Sequence, residues 1–150
     1  MERPADPKKF LSEEEKRLID GAIDKAEKET SGEIKLFIGR FCWGSIEDKA
    51  GRVFRKLGLS KTKERNGVLI YLVTANREFL IYGDEGINSK VPADFWDGIK
   101  DRMEENFSRG DFGKGLAEAI ETIGVQLKAY FPCRKDDRNE LSDDIEYGEE

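Results

Sequence analysis

The chain has 150 residues and a mass of 17.1 kDa, which bounds it to one domain. It contains no histidine, so Ser-His-Asp and Cys-His catalysis, His-ligated zinc and an imidazole base are excluded. Net charge is −6, of which residues 134–150 carry −5 through eight acids against three bases, so no basic excess suggests a nucleic-acid partner.

Residues 1–9 lack the apolar core of a signal peptide and are expected to form a flexible N-terminus. No apolar run approaches the roughly 20 residues that span a bilayer. The expected setting is therefore the cytoplasm, with Cys42 and Cys133 reduced. These cysteines are too far apart in sequence for a CxxC pair or a thiolate zinc site.

Ser12-Glu13-Glu14-Glu15 is a capping box and opens the first helix. Leu18, Ile19, Ala22, Ile23 and Ala26 fall on one face, and Thr30-Ser31-Gly32 stops it. Residues 33–39 read as a strand with Ile34, Leu36 and Ile38 on one side and Phe37 on the other. Ser45-Ile46-Glu47-Asp48 caps a second helix striped by Ile46, Ala50, Val53, Phe54 and Leu57, with Gly58 as its stop. Residues 61–65 form a charged loop, read as solvated. The unbroken apolar run 68–73 suits a strand covered on both faces. Residues 74–78 are of hairpin length, and 79–82 return.

Val91-Pro92 opens a third helix, with Phe95, Trp96, Ile99, Met103 and Phe107 as packing positions. Asp111 is the expected N-cap of a fourth, lined by Phe112, Leu116, Ala119, Ile120, Ile123 and Leu127 and ended by Pro132. The order α-β-α-β-β-α-α requires a right-handed parallel crossover followed by an antiparallel strand. The expected fold class is α/β: a three-layer α/β/α sandwich whose small mixed sheet has helices on both faces. Residues 10–132 make up this domain, and 133–150 are expected to be a disordered acidic tail.

The candidate site is the segment Gly83-Asp84-Glu85-Gly86-Ile87-Asn88. Two glycines bracket two carboxylates just after a strand. Hard cations take several oxygens from carboxylates and carbonyls, and glycines let carbonyls turn toward an ion. A tight turn with solvated acids is the competing reading. Topology adds to the first. The end of an antiparallel last strand lies beside the start of its neighbour, so Asp84 and Glu85 share an edge with Asn66-Gly67. A parallel first strand brings Glu33 there, and Asp94 is a further candidate. Grouped carboxylates repel unless a cation joins them. The candidate metal ligands are therefore Asp84, Glu85, Glu33, Asn66 and Asp94, for Ca²⁺ or Mg²⁺. The rival edge is Arg40-Phe41-Cys42-Trp43-Gly44 with the helix start at Ser45. It has no phosphate-loop motif, and Cys42 has no histidine base.

The ordered segments Thr30-Ser31-Gly32-Glu33, Asn66-Gly67-Val68-Leu69, Tyr82-Gly83-Asp84-Glu85-Gly86 and Gly110-Asp111-Phe112 together resemble the TPM domain. The resemblance is closest to short, soluble, single-domain bacterial members. Those carry a Gly-Asp-x-Gly-Ile-Asn loop followed by Val-Pro and Asp-Phe-Trp, matched here by residues 83–88, Val91-Pro92 and Asp94-Phe95-Trp96. It implies a Rossmann-like sandwich and, in some relatives, divalent-cation binding that includes calcium. It also implies phosphatase activity in a plant thylakoid relative linked to photosystem II repair. Longer members carry Gly-Tyr-Gly-Leu-Glu-Gly followed by Thr-Asp; here Asp84 replaces the Leu and Lys90 falls at the later Asp.

The sequence thus leads to two cation-dependent readings, beside a purely structural interaction domain that holds no ion. One is a monomeric, cation-binding interaction module with a protein partner, no nucleic acid and no membrane span. The other is a metal-assisted phosphomonoester hydrolase, in which the ion polarises phosphate and activates water.

Overall fold

In the computed structural model, residues 3–133 and 145–148 are described. Six α-helices and four strands follow in the order α1 (Pro7–Phe10), α2 (Glu13–Glu29), β1 (Glu33–Gly39), α3 (Ile46–Lys56), β2 (Gly67–Val73), β3 (Glu78–Gly83), α4 (Glu85–Asn88), α5 (Phe95–Ser108), α6 (Phe112–Tyr130) and β4 (Glu146–Gly148). A 3₁₀ turn at Leu59–Lys61 precedes β2. The sheet order is β3-β2-β1-β4. β1 runs parallel to β2 and to β4, while β2 and β3 are antiparallel. This is the expected α/β fold with a mixed sheet.

β1 and β2 are buried along their whole length because both faces are covered. On one face Ile34, Leu36, Ile38, Val68, Ile70 and Leu72 pack under α2, α5 and α6. On the other, Phe37, Leu69, Tyr71 and Val73 pack under α3. The period-2 reading of residues 33–39 therefore assigned its faces correctly. α2 and α6 approach closely along Ala22, Ala26 and Gly124: a Cβ on Gly124 would stand 2.8 Å from that of Ala26. Leu18, expected on the packed face of α2, is instead exposed. It lies one position before Ile19, where the helix has already turned away from the sheet.

The helix starts follow local chemistry. At α2, Ser12 Oγ accepts from the Glu15 N–H and the Glu15 carboxylate accepts from the Ser12 N–H, a complete capping box. At α3, Ser45 Oγ accepts from the Asp48 N–H. Gly58 follows α3 with φ +81°, the left-handed conformation that suits glycine. Asp111 precedes α6 but makes no side-chain cap bond. The Gly113 N–H donates 2.9 Å to the Glu15 carboxylate instead, so the start of α2 also caps α6. α5 begins at Phe95 rather than at Val91-Pro92, because residues 92–95 first make a turn in which the Phe95 N–H donates to the Pro92 carbonyl.

Both chain ends depart from expectation. Residues 3–9, read as flexible, are tied to the domain. The Arg3 guanidinium pairs with both Glu15 oxygens at 2.5 and 2.8 Å and donates to the Phe10 and Gly110 carbonyls. Pro7 is buried, and Thr74 Oγ1 donates to the Ala5 carbonyl. The acidic end, read as disordered throughout, contributes β4. Its residues 134–144 and 149–150 lie outside the described residues. Among the described residues, no helix is long and apolar enough to cross a membrane.

Candidate functional site

Strand register decides which candidates meet. Glu33 pairs with Gly67 across β1 and β2, and Val68 pairs with Gly83 across β2 and β3. The Asp84 N–H donates 3.0 Å to the Gly67 carbonyl. Glu33, Asn66 and Asp84 therefore share one sheet edge, as the antiparallel argument required. Asp94 does not belong to this group of strand ends. It is exposed at the N-terminal boundary of α5 and makes no side-chain cap bond.

Residues 83–88 differ from the expected open loop. Asp84 is the N-cap of α4, its Oδ1 accepting from the Glu85 N–H at 2.8 Å. Ile87 is fully buried. Asn88 Nδ2 donates to the Gly83 carbonyl at 2.8 Å, and Trp96 Nε1 donates to Asn88 Oδ1 at 2.8 Å, so the segment is fastened to α5. Gly86 serves packing rather than a turned carbonyl. A Cβ there would run into the carbonyl oxygens of Glu64 and Arg65 and stand 2.8 Å from the Arg65 carbonyl carbon.

The charge at this corner is already partnered. Asp84 is 7% exposed, and its two oxygens receive a guanidinium fork from Arg65: Nε to Oδ2 at 2.9 Å and Nη2 to Oδ1 at 3.1 Å. Arg65 Nη1 also stands 3.4 Å from Glu85 Oε1, on a carboxylate that is 75% exposed. The Asp84 hydrogen bond, reinforced by the charges of Asp84 and Glu85, raises the Arg65 pKa above its already high ordinary value. Arg65 holds φ +54°, a left-handed conformation that residues other than glycine adopt infrequently. The loop 61–65 is thus not merely solvated: Thr62 Oγ1 accepts from the Asn66 N–H, Glu64 accepts from Ser31 Oγ at 2.8 Å, and Arg65 holds Asp84. The sequence reading missed Arg65. Its only available signal was a base two residues before β2 in a chain whose next strand ends in two acids.

Asn66 is 1% exposed. Its Nδ2 donates to Ser31 Oγ at 3.2 Å, but its Oδ1 is buried without a hydrogen-bond partner among the described residues. A buried amide oxygen in that state is unfavourable by about 1–3 kcal/mol. The oxygens here are hard donors of the kind Ca²⁺ and Mg²⁺ select. Nevertheless, among the described residues no three Asp, Glu or Cys side chains come together closely enough to enclose an ion. Asp84 meets the Arg65 fork there instead.

At the opposite edge, Phe41 and Trp43 are exposed and stack with ring centroids 5.8 Å apart. The Arg40 guanidinium stands 5.5 Å from the Phe41 ring. Cys42 Sγ lies 3.8 Å from the Ser45 carbonyl, a weak contact.

The Gly-Asp-Glu-Gly segment lies at the amino ends of the parallel strands, as the motif order anticipated, while the fourth strand and the cap on α4 were not expected. The family model for the TPM domain matches residues 5–126, and the chain belongs to that family. Its fold is similar to the NMR structure of the BA42 protein from the psychrophilic bacterium Bizionia argentinensis, at 41% identity and a TM-score of 0.88, over 97% of this chain and 100% of that one. It also resembles the N-terminal domain of a P. gingivalis protein (22% identity, TM-score 0.66, 81% and 78% of the two chains). A third similar structure is the N-terminal domain of cg2496 from Corynebacterium glutamicum (17% identity, TM-score 0.60, 78% and 74%). The last two likenesses concern the fold alone. No curated protein matches the chain.

Proposed function

We propose that this TPM domain is a binding module that takes a divalent cation, Ca²⁺ or Mg²⁺, at the corner formed by Asp84 and Glu85, with Asn66 and Glu33 on the same edge. The observation that carries the reading is Asn66 Oδ1, a buried oxygen donor without a hydrogen-bond partner on the edge where Asp84 requires a cation. Arg65 supplies that positive charge in the ion-free form. Its side chain is 46% exposed, so it has room to swing out when an ion takes the Asp84 oxygens. Exchange of a guanidinium for an ion leaves the buried carboxylate compensated in both states, which suits a switchable module. In this reading the domain works as a cytoplasmic monomer and presents the ion-dependent corner to a protein partner.

The test is a titration of the metal-free protein with Ca²⁺ and Mg²⁺, followed by backbone amide NMR. Saturable shifts are expected at residues 83–88, Glu33 and Asn66, absent in Asp84→Asn/Glu85→Gln. Arg65→Gln removes the internal competitor and is expected to bind about tenfold more tightly, equivalent to about 1.4 kcal/mol. Flat shifts up to about 10 mM ion in both wild type and Arg65→Gln end the proposal. Ion-dependent hydrolysis of p-nitrophenyl phosphate that vanishes in the acid variant would replace the module by the hydrolase.

A further inference from the structure

Charge is divided between the two faces of the sheet. Residues 40–63 comprise the loop after β1, α3 and the turn beyond it. They hold seven bases against two acids, a net charge of +5. The whole chain carries −6, so the remaining residues carry −11. Val53, Phe54 and Leu59 of this basic segment pack on Leu69, Tyr71 and Val73, on one face of the sheet. α2, α5 and α6 cover the other face. A chain of negative net charge therefore presents one cationic side. Arg52, Arg55, Lys56, Lys61 and Lys63 are exposed there, and none makes an ion pair among the described residues. In the opposite layer, by contrast, Lys28, Arg109 and Lys128 are each met by an acid.

The two acids, Glu47 and Asp48, lie in the first turn of α3, where the helix dipole favours them. The exposed bases occupy its later turns and the turn beyond. An aromatic tip stands at the start of the same layer, about 16 Å away along the eleven residues of α3. Phe41 and Trp43 are 42% and 69% exposed, while Cys42 between them packs against the α3 cluster. Gly44, beside Trp43, has φ +85°, and a Cβ there would meet nothing within 4 Å, so the tip stands clear of the domain. An indole this exposed buries little in the fold. Its amphipathic ring suits a boundary between water and an apolar medium.

We propose that the α3 side docks the domain on the surface of an anionic phospholipid bilayer. Phe41 and Trp43 enter the headgroup region, and the five exposed bases face the headgroup charges. The acids on the outer sides of α2 and α6 oppose approach only weakly. The sheet and a helix of about 10 Å diameter separate them from that surface, and the Debye length is about 10 Å at 0.1 M salt. A nucleic acid fits less well. Single strands run in basic grooves with open ring faces for successive bases. Here the bases stand on a helix surface, and the Phe41 ring is already flanked by Trp43 and Arg40. A stable protein interface centres on apolar groups ringed by polar ones, whereas these aromatics lie at one end of the charged patch. The inference uses neither Asp84, Glu85 nor Asn66, so it is independent of the cation corner.

The experiment is co-sedimentation of the full chain with vesicles of phosphatidylcholine alone and of phosphatidylcholine with about 30% phosphatidylserine, in EDTA, at about 0.05 M and about 0.5 M NaCl. Binding is expected to the anionic vesicles only, and at the lower salt only. Arg52→Gln/Arg55→Gln/Lys56→Gln is expected to lower the partition coefficient at least about thirtyfold. Lys25→Gln/Lys100→Gln/Lys114→Gln removes the same charge from the opposite layer and is expected to lower it less than about threefold. Urea unfolding midpoints establish that both variants keep the fold. The chain has two tryptophans, Trp43 and Trp96. Anionic vesicles are expected to shift the wild-type emission to the blue and to leave that of Trp43→Phe unchanged. No sedimentation with anionic vesicles at low salt, equal partition of the two charge variants, or an emission shift that survives in Trp43→Phe would overturn the proposal. Saturable binding of a single-stranded oligonucleotide that persists at the higher salt, where the vesicles have released the protein, would overturn it in favour of a nucleic acid.

Discussion

The junction of Arg3, Glu15 and Gly113 makes a quantitative prediction about pH. Burial pushes the Glu15 carboxyl up, but the Arg3 fork and the Ser12 and Gly113 N–H groups outweigh it and bring the pKa from 4.5 to about 2. A carboxylate with a depressed folded pKa stabilises the protein above its unfolded pKa, and that contribution disappears as pH falls through the folded value. Here the window runs from pH 4.5 down to about 2. At 1.36 kcal/mol per pH unit the depression is worth about 3 kcal/mol. Solvent screening of a pair whose side chains are 22% and 20% exposed reduces this to about 2 kcal/mol. Glu15→Gln, compared with wild type by urea unfolding, should therefore lose about 2 kcal/mol at pH 7 and less than about 1 kcal/mol at pH 3. A deficit independent of pH over this range, or none at pH 7, would refute the assignment of Glu15 as the shared cap of α2 and α6.

Two further predictions concern packing, and urea midpoints at pH 7 test both. Gly86→Ala drives a methyl into the backbone carbonyls of Glu64 and Arg65, which cannot rotate away, and should destabilise the domain by about 2–3 kcal/mol. A neutral effect would mean that α4 does not press on the 64–65 turn. Ile120→Ala removes a fully buried side chain of α6 from the larger core cluster and should cost about 2–5 kcal/mol. A loss under about 1 kcal/mol would show that α6 is not closely packed on the sheet.

The main elements were legible because each is governed by local chemistry. Capping residues mark the starts of α2 and α3, period-2 alternation assigns the faces of β1, and an unbroken apolar run identifies β2 as covered on both sides. The meeting of Glu33, Asn66 and Asp84 at one edge was also readable, since it follows from strand directions alone.

What the sequence could not supply was the choice of partners for charge and for small residues. Whether Asp84 faces an ion, water or Arg65 depends on a turn held at φ +54° and on how closely α4 approaches it. The same Gly86 reads equally as a flexible hinge or as a contact point until the Glu64 and Arg65 carbonyls are placed. In the sequence Lys35 is one polar position within β1, and Glu146 is one of several acids near the chain end. Their pairing spans 111 residues. Hydrophobic period and capping act over a few residues, so the sequence by itself determined the elements and their faces. Electrostatic partnership acts through space, so only the tertiary structure decided which acid meets which base.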